Sequence, residues 1–171
     1  MVEERKEKNF IDVVVSVRRV TKVTKGGKRF SFSAFVISGD QQGNVGIALG
    51  KSREVSSAIA KATTAARKNM ITLALRGATV PYNVTGKHGA CKVVICSAYK
   101  GTGVIAGGPM RAVMKAAGIA DVLAKSFGST NKQNVVKATL NALAQLRTLQ
   151  QISALRGRSI DQILKGSHVS A

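Results

Sequence analysis

The spacing of apolar residues changes once within the first 70 residues, and this change restricts the folds open to the chain. Residues 11–23 are rich in valine, residues 30–40 alternate large and small side chains, and residues 45–51 form a third short apolar run. A period of two is typical of strands. Because glycine-containing turns separate the runs, we predict three antiparallel strands in meander order. The first strand is expected to place on one face the alternate residues Val13, Val15, Val17 and Arg19.

After the third run the period becomes that of a helix. Between residues 52 and 70 the apolar side chains recur every three or four positions, at Val55, Ile59, Ala62, Ala66 and Met70. Ser52 is a suitable N-cap, and Glu54 suits the first turn of a helix. The first unit is therefore predicted to be β-β-β-α, one small sheet covered by one helix.

A break between the two halves of the chain is expected at residues 74–83, which contain Gly77 and Pro81. Strands then resume. Residues 79–86 and 90–100 are predicted to form a second hairpin.

Two helices and one strand complete the second unit. A short helix is expected to begin near Pro109, and residues 120–129 suit a short strand. Thr130 and Gln133 have the spacing of a capping box, which predicts a helix over residues 131–147. The second unit is thus predicted to be β-β-α-β-α, a two-layer α/β sandwich.

A short terminal helix is predicted by a second capping box, Ser159 with Gln162, and by Gly166 as its C-cap. The fold class is therefore expected to be α+β. We expect two domains, at residues 11–74 and 79–156, followed by a C-terminal helix and tail over residues 157–171.

The charge of the chain points to a polyanionic partner. The net charge is +19, and from residue 13 onward 24 basic residues face four acidic ones. These basic residues alternate with patterned apolar ones, so a folded body carries the charge. Self-repulsion of this size is relieved by a nucleic-acid backbone, with a gain from counterion release. Acidic lipid is a weaker alternative, because no basic amphipathic helix with a bulky apolar face is apparent.

Membrane and secretory classes are not indicated. No apolar run approaches the roughly 18 residues of a membrane span, and the start MVEERKEKNF is not followed by an apolar segment like that of a secretory signal. We therefore expect a cytoplasmic protein. Cys91 and Cys96 would point to opposite faces of one strand, so both are expected to be reduced core residues.

The sequence contains few residues that could act in catalysis. His88 and His168 have no cysteine or aspartate at the spacing of metal ligands, and the carboxylates lie in turns, caps and the acidic N-terminus. We therefore predict no catalytic residue, no metal, no cofactor and no small-molecule substrate.

One motif is superficially like a dinucleotide site. Gly101-x-Gly103-x-x-Ala106 follows a predicted strand and precedes a helix. The acid expected about 20 residues further on should close a strand, whereas Asp121 opens one. The preceding strands also form a hairpin and not a βαβ unit. A glycine-rich turn of this kind equally suits close approach to RNA or to another protein.

The turn of the first hairpin is a stronger candidate for a binding site than the glycine-rich motif. Several cations surround two glycines, so the tip could enter a nucleic-acid groove. The neighbouring Phe30, Phe32 and Phe35 are expected to lie in the core beneath the helix and not to stack on bases. Binding should therefore depend on phosphates and shape. The predicted RNA-binding residues are Arg18, Arg19, Lys22, Lys25, Gly26, Gly27, Lys28, Arg29, Lys51, Arg53, Arg67 and Lys68.

Two long segments resemble a known family. The segments run from VVSVRRVTKVTKGGKRF to AARKNM and from KGTGVIAGGPMRAVMKAAGI to NVVKATLNAL. They closely resemble the fifth protein of the bacterial small ribosomal subunit, and the resemblance covers about residues 11–165. It implies a first domain with a double-stranded-RNA-binding-like fold and a second α/β domain. It also implies a structural role in subunit assembly, contact with small-subunit rRNA, a position where mRNA enters, and an effect on decoding fidelity.

The resemblance also suggests sites and partners. It places the loop from Lys25 to Lys28 beside the spectinomycin site. It implies an interface with the fourth small-subunit protein at the glycine-rich region and one with the eighth at the terminal helix. The residues carried over to these interfaces are Gly101, Gly103, Gly107, Gly108, Arg111, Ile160, Ile163 and Leu164. From the residues alone, the alternative function is a free regulatory protein that binds double-stranded RNA.

Overall fold

The computed structural model describes residues 10–165, with side chains as far as residue 163. Two four-stranded sheets and five helices make up this part of the chain. The elements are β1 Ile11–Thr24, β2 Gly27–Gly39, β3 Asn44–Ser52, α1 Val55–Lys68, β4 Met70–Thr72, β5 Val84–His88, β6 Cys91–Ser97, β7 Val104–Ile105, α2 Gly108–Ala117, β8 Val122–Gly128, α3 Lys132–Leu143, α4 Leu149–Arg156 and α5 Ile160–Lys165. The predicted α+β class is confirmed.

The first sheet has the order β1-β2-β3-β4, with all neighbours antiparallel. Helix α1 covers one face, where Ala58 and Ala62 pack against Ala34 and Val36 of β2. The backbones of α1 and β3 approach each other closely, since a Cβ on Gly50 would stand 2.2 Å from the Ala58 carbonyl oxygen. The helix begins after Glu54 and not after Ser52 as predicted, and Met70 starts the short strand β4 instead of ending the helix.

A β-bulge at Val15 makes the prediction of one apolar face on β1 wrong. The register passes directly from Val14 paired with Val36 to Ser16 paired with Phe35, so Val15 has no cross-strand partner. The extra residue reverses the side-chain alternation beyond it. Val13 therefore shares a face with Ile37, whereas Val17 shares the α1 face with Ala34.

The first sheet is buried on both faces, which corrects the expectation that its core lies only beneath α1. Phe35, Ile37 and Val45 point away from α1 and form one apolar cluster with Val113 and Met114 of α2. The backbone approach here is close, because a Cβ on Gly39 would stand 2.1 Å from the Ala116 carbonyl oxygen. The β2–β3 turn is also tied to α2 by hydrogen bonds from the Gln41 and Gly43 amides to the Ala116 and Ala117 carbonyls.

The second sheet has the order β5-β6-β8-β7, and helices α2 and α3 lie on one of its faces. The predicted hairpin, the helix starting near Pro109 and the following strand are all present. The two-residue strand β7, which pairs parallel to β8, was not predicted. Helix α3 ends at Leu143 and is capped by Asn131, so the capping box predicted at Thr130 is wrong.

The C-terminal segment contains one helix more than predicted. Thr148 and Gln151 form the capping box of α4, each side chain accepting a hydrogen bond from the other residue's backbone amide. The predicted box of Ser159 and Gln162 is present at the start of α5. The predicted C-cap Gly166 lies outside the described residues. Within residues 10–165, no helix is long and apolar enough to cross a membrane.

Candidate nucleic-acid interface

The first hairpin extends beyond the rest of its sheet and so exposes its basic residues. Pairing between β2 and β3 ends at Phe32 with Ser52, but β2 continues back to Gly27 in pairing with β1. The turn itself consists of Lys25 and Gly26, and the Thr24 hydroxyl donates a 3.0 Å hydrogen bond across it to the Gly27 carbonyl. Gly27 has a φ of 134°, a conformation that side chains rarely adopt. The tip is therefore a narrow, defined projection.

A basic groove lies in the step between this projecting hairpin and the start of α1. We define the basic groove by the five cations that line it, which β1, β2, β3, the β3–α1 connection and α1 supply. They are Lys22, Arg29, Lys51, Arg53 and Lys61. Glu54 is the one acid in the lining, and the groove has a volume of about 880 Å³.

The strand register explains why cations meet at the groove. Lys22 pairs directly with Arg29, and Arg18 is joined to Lys51 through Ser33, which pairs with both. Residues paired across a sheet share a face. Arg18, Lys22, Arg29 and Lys51 are therefore on the same face of the sheet. Of these four, Lys22, Arg29 and Lys51 line the groove, and their shared positive charge favours an anionic partner.

The opposite face of the hairpin carries a cation over an aromatic ring. The Arg19 guanidinium lies 4.6 Å from the centre of the Phe30 ring, and Phe30 is 49% exposed. Of the three phenylalanines expected beneath α1, only Phe32 packs there, because Phe35 is on the other face of the sheet. Phe30 instead lines the basic groove, whose lining thus includes residues from both faces of the hairpin.

Arg67 and Lys68 are not part of the basic groove. They end α1, whose 14 residues make it about 21 Å long, while the groove lies at its beginning. Arg67 also has partners within the chain: its guanidinium is 2.6 Å from an Asp12 carboxylate oxygen and stacks over the Phe10 ring. The structure thus separates these two residues from the other predicted RNA-binding residues.

Lys61 is the groove residue that was missed at the level of sequence. It stands four residues after Ser57 and seven after Glu54, both of which also line the groove. That spacing places the three residues on one side of the helix. This helical spacing is visible in the sequence, but it identifies a site only once the start of α1 is known to face the hairpin.

The glycine-rich loop is organised by a buried carboxylate. Oδ1 of Asp121 accepts hydrogen bonds from the amides of Gly101, at 3.0 Å, and Gly103, at 2.9 Å. Asp121 is 5% exposed. Because these amides already bind a carboxylate, they are not free to bind the phosphates of a dinucleotide. Gly107 is the N-cap of α2, and Arg111 is exposed one turn further on.

The terminal helix presents part of its apolar surface to solvent. Ile160 is 39% exposed, and Ile163 is half-buried. The side chain of Leu164 and residue His168 lie outside the described part of the chain.

Side chains that could bind a metal ion or act as a reactive thiol are few in the described residues. No cluster of three or more His, Cys, Asp or Glu side chains occurs within them. Both cysteines are free, but only Cys91 is a core residue, and burial raises the pKa of its thiol. Cys96 is half-buried on the opposite face of the strand, which corrects its predicted core position.

Comparison with known proteins agrees with both halves of the fold. The family description "Ribosomal protein S5, N-terminal domain" matches residues 10–74, and "Ribosomal protein S5, C-terminal domain" matches residues 86–156. The small ribosomal subunit protein uS5 of Lawsonia intracellularis is 50% identical over 92% of this chain and 97% of its own length. The uS5 proteins of Flavobacterium psychrophilum and Acinetobacter baumannii are 53% and 49% identical, over 91% and 94% of this chain and 89% and 96% of their own lengths. The resemblance seen in the sequence is therefore confirmed, and the chain belongs to the ribosomal protein S5 family.

Proposed function

We propose that this protein binds small-subunit rRNA through the basic groove and the hairpin tip, mainly by contacts with phosphates. As a member of its family, it is a structural, non-enzymatic protein of the small ribosomal subunit, and we place it on cytoplasmic ribosomes. The observation that carries the proposed binding mode is the convergence of five cations from five parts of the chain on one groove.

The proposed mechanism is electrostatic scaffolding. Phosphates in the basic groove would offset the repulsion among its cations and release counterions from the RNA. Among the described residues, the groove lining contains no Asn or Gln, and its lysines and arginines suit phosphate oxygens, so we expect the contacts to fix position and orientation more than sequence. Lys25 to Lys28, beyond the groove, would set the register of the protein on the RNA.

Replacing the groove cations tests this proposal directly. The variant Lys22→Gln, Arg29→Gln, Lys51→Gln and Arg53→Gln should bind an rRNA fragment more weakly. Because each lost phosphate contact lowers the magnitude of the negative slope of log K against log salt by roughly 0.7–0.9, that magnitude should fall by about 3. Filter binding or fluorescence anisotropy across a series of salt concentrations measures this slope.

A matched control separates the groove from net charge. Lys132, Lys137, Arg147 and Arg156 are exposed on or beside helices of the second half of the chain. Replacing these four with Gln removes the same charge, and it should change the slope much less. Equal loss in both variants would contradict a localised site.

The hairpin tip is proposed to lie against rRNA next to the spectinomycin site. The tip carries Lys25 and Lys28 around two glycines, and it projects beyond the sheet. Replacing Lys25, Lys28 and Arg29 with Glu should abolish incorporation into small subunits, measured by sedimentation of the tagged protein. Normal incorporation together with an unchanged spectinomycin response would refute the role of the loop.

We also propose interfaces with the fourth and eighth small-subunit proteins, on the side where mRNA enters, with consequences for decoding fidelity. The ordered glycine loop with exposed Arg111 would serve the first interface, and Ile160, Ile163 and Leu164 of the terminal helix the second. Support comes from the family resemblance, from the Asp121 hydrogen bonds that order the loop and from the exposure of Ile160. Crosslinking from Arg111 and Ile160 in assembled subunits would test the two interfaces separately. We also propose a division into domains at residues 11–74 and 79–156, followed by a C-terminal helix and tail over residues 157–171.

A further inference from the structure

The second sheet has one face that no described element covers. Helices α2 and α3 cover the other face, where Val84, Val93 and Ile95 are buried. We call the uncovered side the open face. By strand register it carries, in neighbouring rows, Thr85, Lys87, Lys92, Val94, Cys96, Ile105, Leu123, Lys125 and Phe127.

The open face is both apolar and basic. Phe127 is 51% exposed, Leu123 is 40% exposed and Ile105 is 55% exposed. Three exposed lysines share this face, and its residues include no acid. Exposed apolar area of this kind marks a contact surface, and the uniform sign of the charge favours an anionic partner.

The position of Phe127 relative to the lysines favours nucleic acid over protein. Lys92 pairs directly with Phe127, Lys87 pairs with Lys92 on the next strand, and Lys125 lies two residues from Phe127 on the same strand. One exposed ring thus has ammonium groups on adjacent positions of three strands. An aromatic ring on a sheet stacks on an unpaired base while neighbouring cations hold the backbone. Protein interfaces, in contrast, are depleted of lysine.

We infer that the open face binds single-stranded RNA, with one base stacked on Phe127 and phosphates held by Lys87, Lys92 and Lys125. A flat sheet suits splayed bases, whereas double-helical RNA is recognised across its grooves by projecting elements such as the hairpin. The inference deepens the proposed function and rests on it in one respect, that RNA is the partner. The surface involved is a different one.

A unique fluorophore tests the inference, because the chain contains no tryptophan. Phe127→Trp, in the full chain, should show saturable fluorescence quenching when titrated with a uridine decamer. Tyr99→Trp is the matched reporter outside the open face, since Tyr99 is 92% exposed on the glycine-rich loop. It should show little quenching at the same RNA concentrations. Absence of quenching in the Phe127→Trp protein, or equal quenching in both proteins, would overturn the inference.

Substitutions in the reporter protein test the lysines. Lys87→Gln, Lys92→Gln and Lys125→Gln together should reduce the magnitude of the slope of log K against log salt by about 2, since each single-strand phosphate contributes roughly 0.7. Lys115→Gln, Lys132→Gln and Lys137→Gln remove equal charge from exposed positions away from the open face and should leave the slope nearly unchanged. In the protein without tryptophan, Phe127→Leu should weaken binding of a labelled decamer at the open face roughly 5- to 150-fold, the range expected for loss of one base stack.

Two further results separate this inference from the proposed function and from a protein partner. The four-residue groove variant, combined with Phe127→Trp, should lose affinity for the rRNA fragment and retain quenching by the decamer; loss of quenching there would show that the decamer binds the groove instead. In assembled small subunits, benzoylphenylalanine at position 127 should crosslink to RNA. Crosslinks to protein alone, from this chain or a neighbour, would overturn the assignment of single-stranded RNA.

Discussion

At the scale of single residues, two buried carboxylates organise the turns that hold the molecule together. Asp40 accepts hydrogen bonds from the amides of Gln42, at 2.8 Å, and Asn44, at 3.0 Å, and a further one from the Asn44 side chain. Asp121 plays the same part in the glycine-rich loop. In a chain with eight acids, each of these turns uses an anion as an internal acceptor and not to balance the surface charge.

The hydrogen bonds of Asp40 predict a loss of stability in acid. Burial by itself raises the pKa of Asp40, but the hydrogen bonds from Asn44 and Gln42 outweigh burial, and the pKa is lowered below its ordinary value. A lowered folded-state pKa contributes stability above the unfolded pKa of about 3.9, and that contribution is lost as the pH falls through the folded value. Urea denaturation should therefore find Asp40→Asn less stable than the wild type by about 1–3 kcal/mol at neutral pH. The difference should shrink below about pH 4; a difference independent of pH would contradict the ionised acceptor.

Asp121 gives a prediction about the glycine-rich loop. Asp121→Ala should destabilise the protein by about 1–3 kcal/mol, because two backbone amides lose their acceptor. Hydrogen exchange at the Gly101 and Gly103 amides should accelerate, as these donate to Oδ1. Asp121→Asn retains an acceptor oxygen and should cost less. Unchanged exchange in the alanine variant would show that the loop is ordered by other contacts.

At the scale of elements, the hairpin and α1 divide the basic residues between binding and structure. The hairpin extends beyond the end of β3, and two of its cations, Lys22 and Arg29, line the groove. The last turn of α1 instead joins β1, through Arg67 and Asp12. Basic residues of the first unit thus have different partners, depending on whether they lie near the start or near the end of α1.

This division predicts different effects of two similar substitutions. Arg53→Gln should weaken rRNA binding and reduce the magnitude of the slope of log K against log salt by roughly 0.7–0.9. Arg67→Gln should change the slope little. A double-mutant cycle of Arg67→Gln with Asp12→Asn should give a coupling of only about 0.2–1 kcal/mol, decreasing with salt, because both side chains are partly exposed. If Arg67→Gln reduced RNA binding as much as Arg53→Gln, the two ends of α1 would both contact RNA.

At the scale of the whole molecule, α2 joins the two sheets into one core. Residues from both sheets and from α2 and α3 belong to the same apolar cluster. Two units that match separate family descriptions are therefore packed as one body in the described chain. A rigid body of this kind would hold the basic groove and the open face in a constant relative position.

The shared core predicts one cooperative unfolding transition and a marked effect of Gly39→Ala. The added methyl group would collide with the Ala116 carbonyl, so we expect a loss of about 1–3 kcal/mol or more. Gly108→Ala is the control, because it has open space around the added methyl group and no positive φ. Differential scanning calorimetry should show one transition in each protein. Two separate transitions in the wild type would mean that α2 does not couple the units.

Much of the fold could be predicted because its main elements have strong local signals. The β1–β2 hairpin, the helical period of α1 and the capping box of Ser159 and Gln162 all agree with the structure. The short strands β4 and β7 were missed, since two or three residues carry no detectable period and are strands only through their neighbours. The bulge at Val15 was missed because it is a property of pairing between strands and not of either strand alone.

The sequence by itself determined the alternation of the strands, the helical stripe of α1, the excess of positive charge and its likeness to one family, all of which depend on residue type and order. Only the tertiary structure decided which cations meet. Lys22, Lys51 and Lys61 come from separate elements. They line one groove because β2 extends beyond the end of β3 and α1 begins next to that end. It also decided that Arg67 binds Asp12 and that one face of the second sheet stays uncovered. Such proximities arise from register and helix placement, and these are set by packing over the entire core.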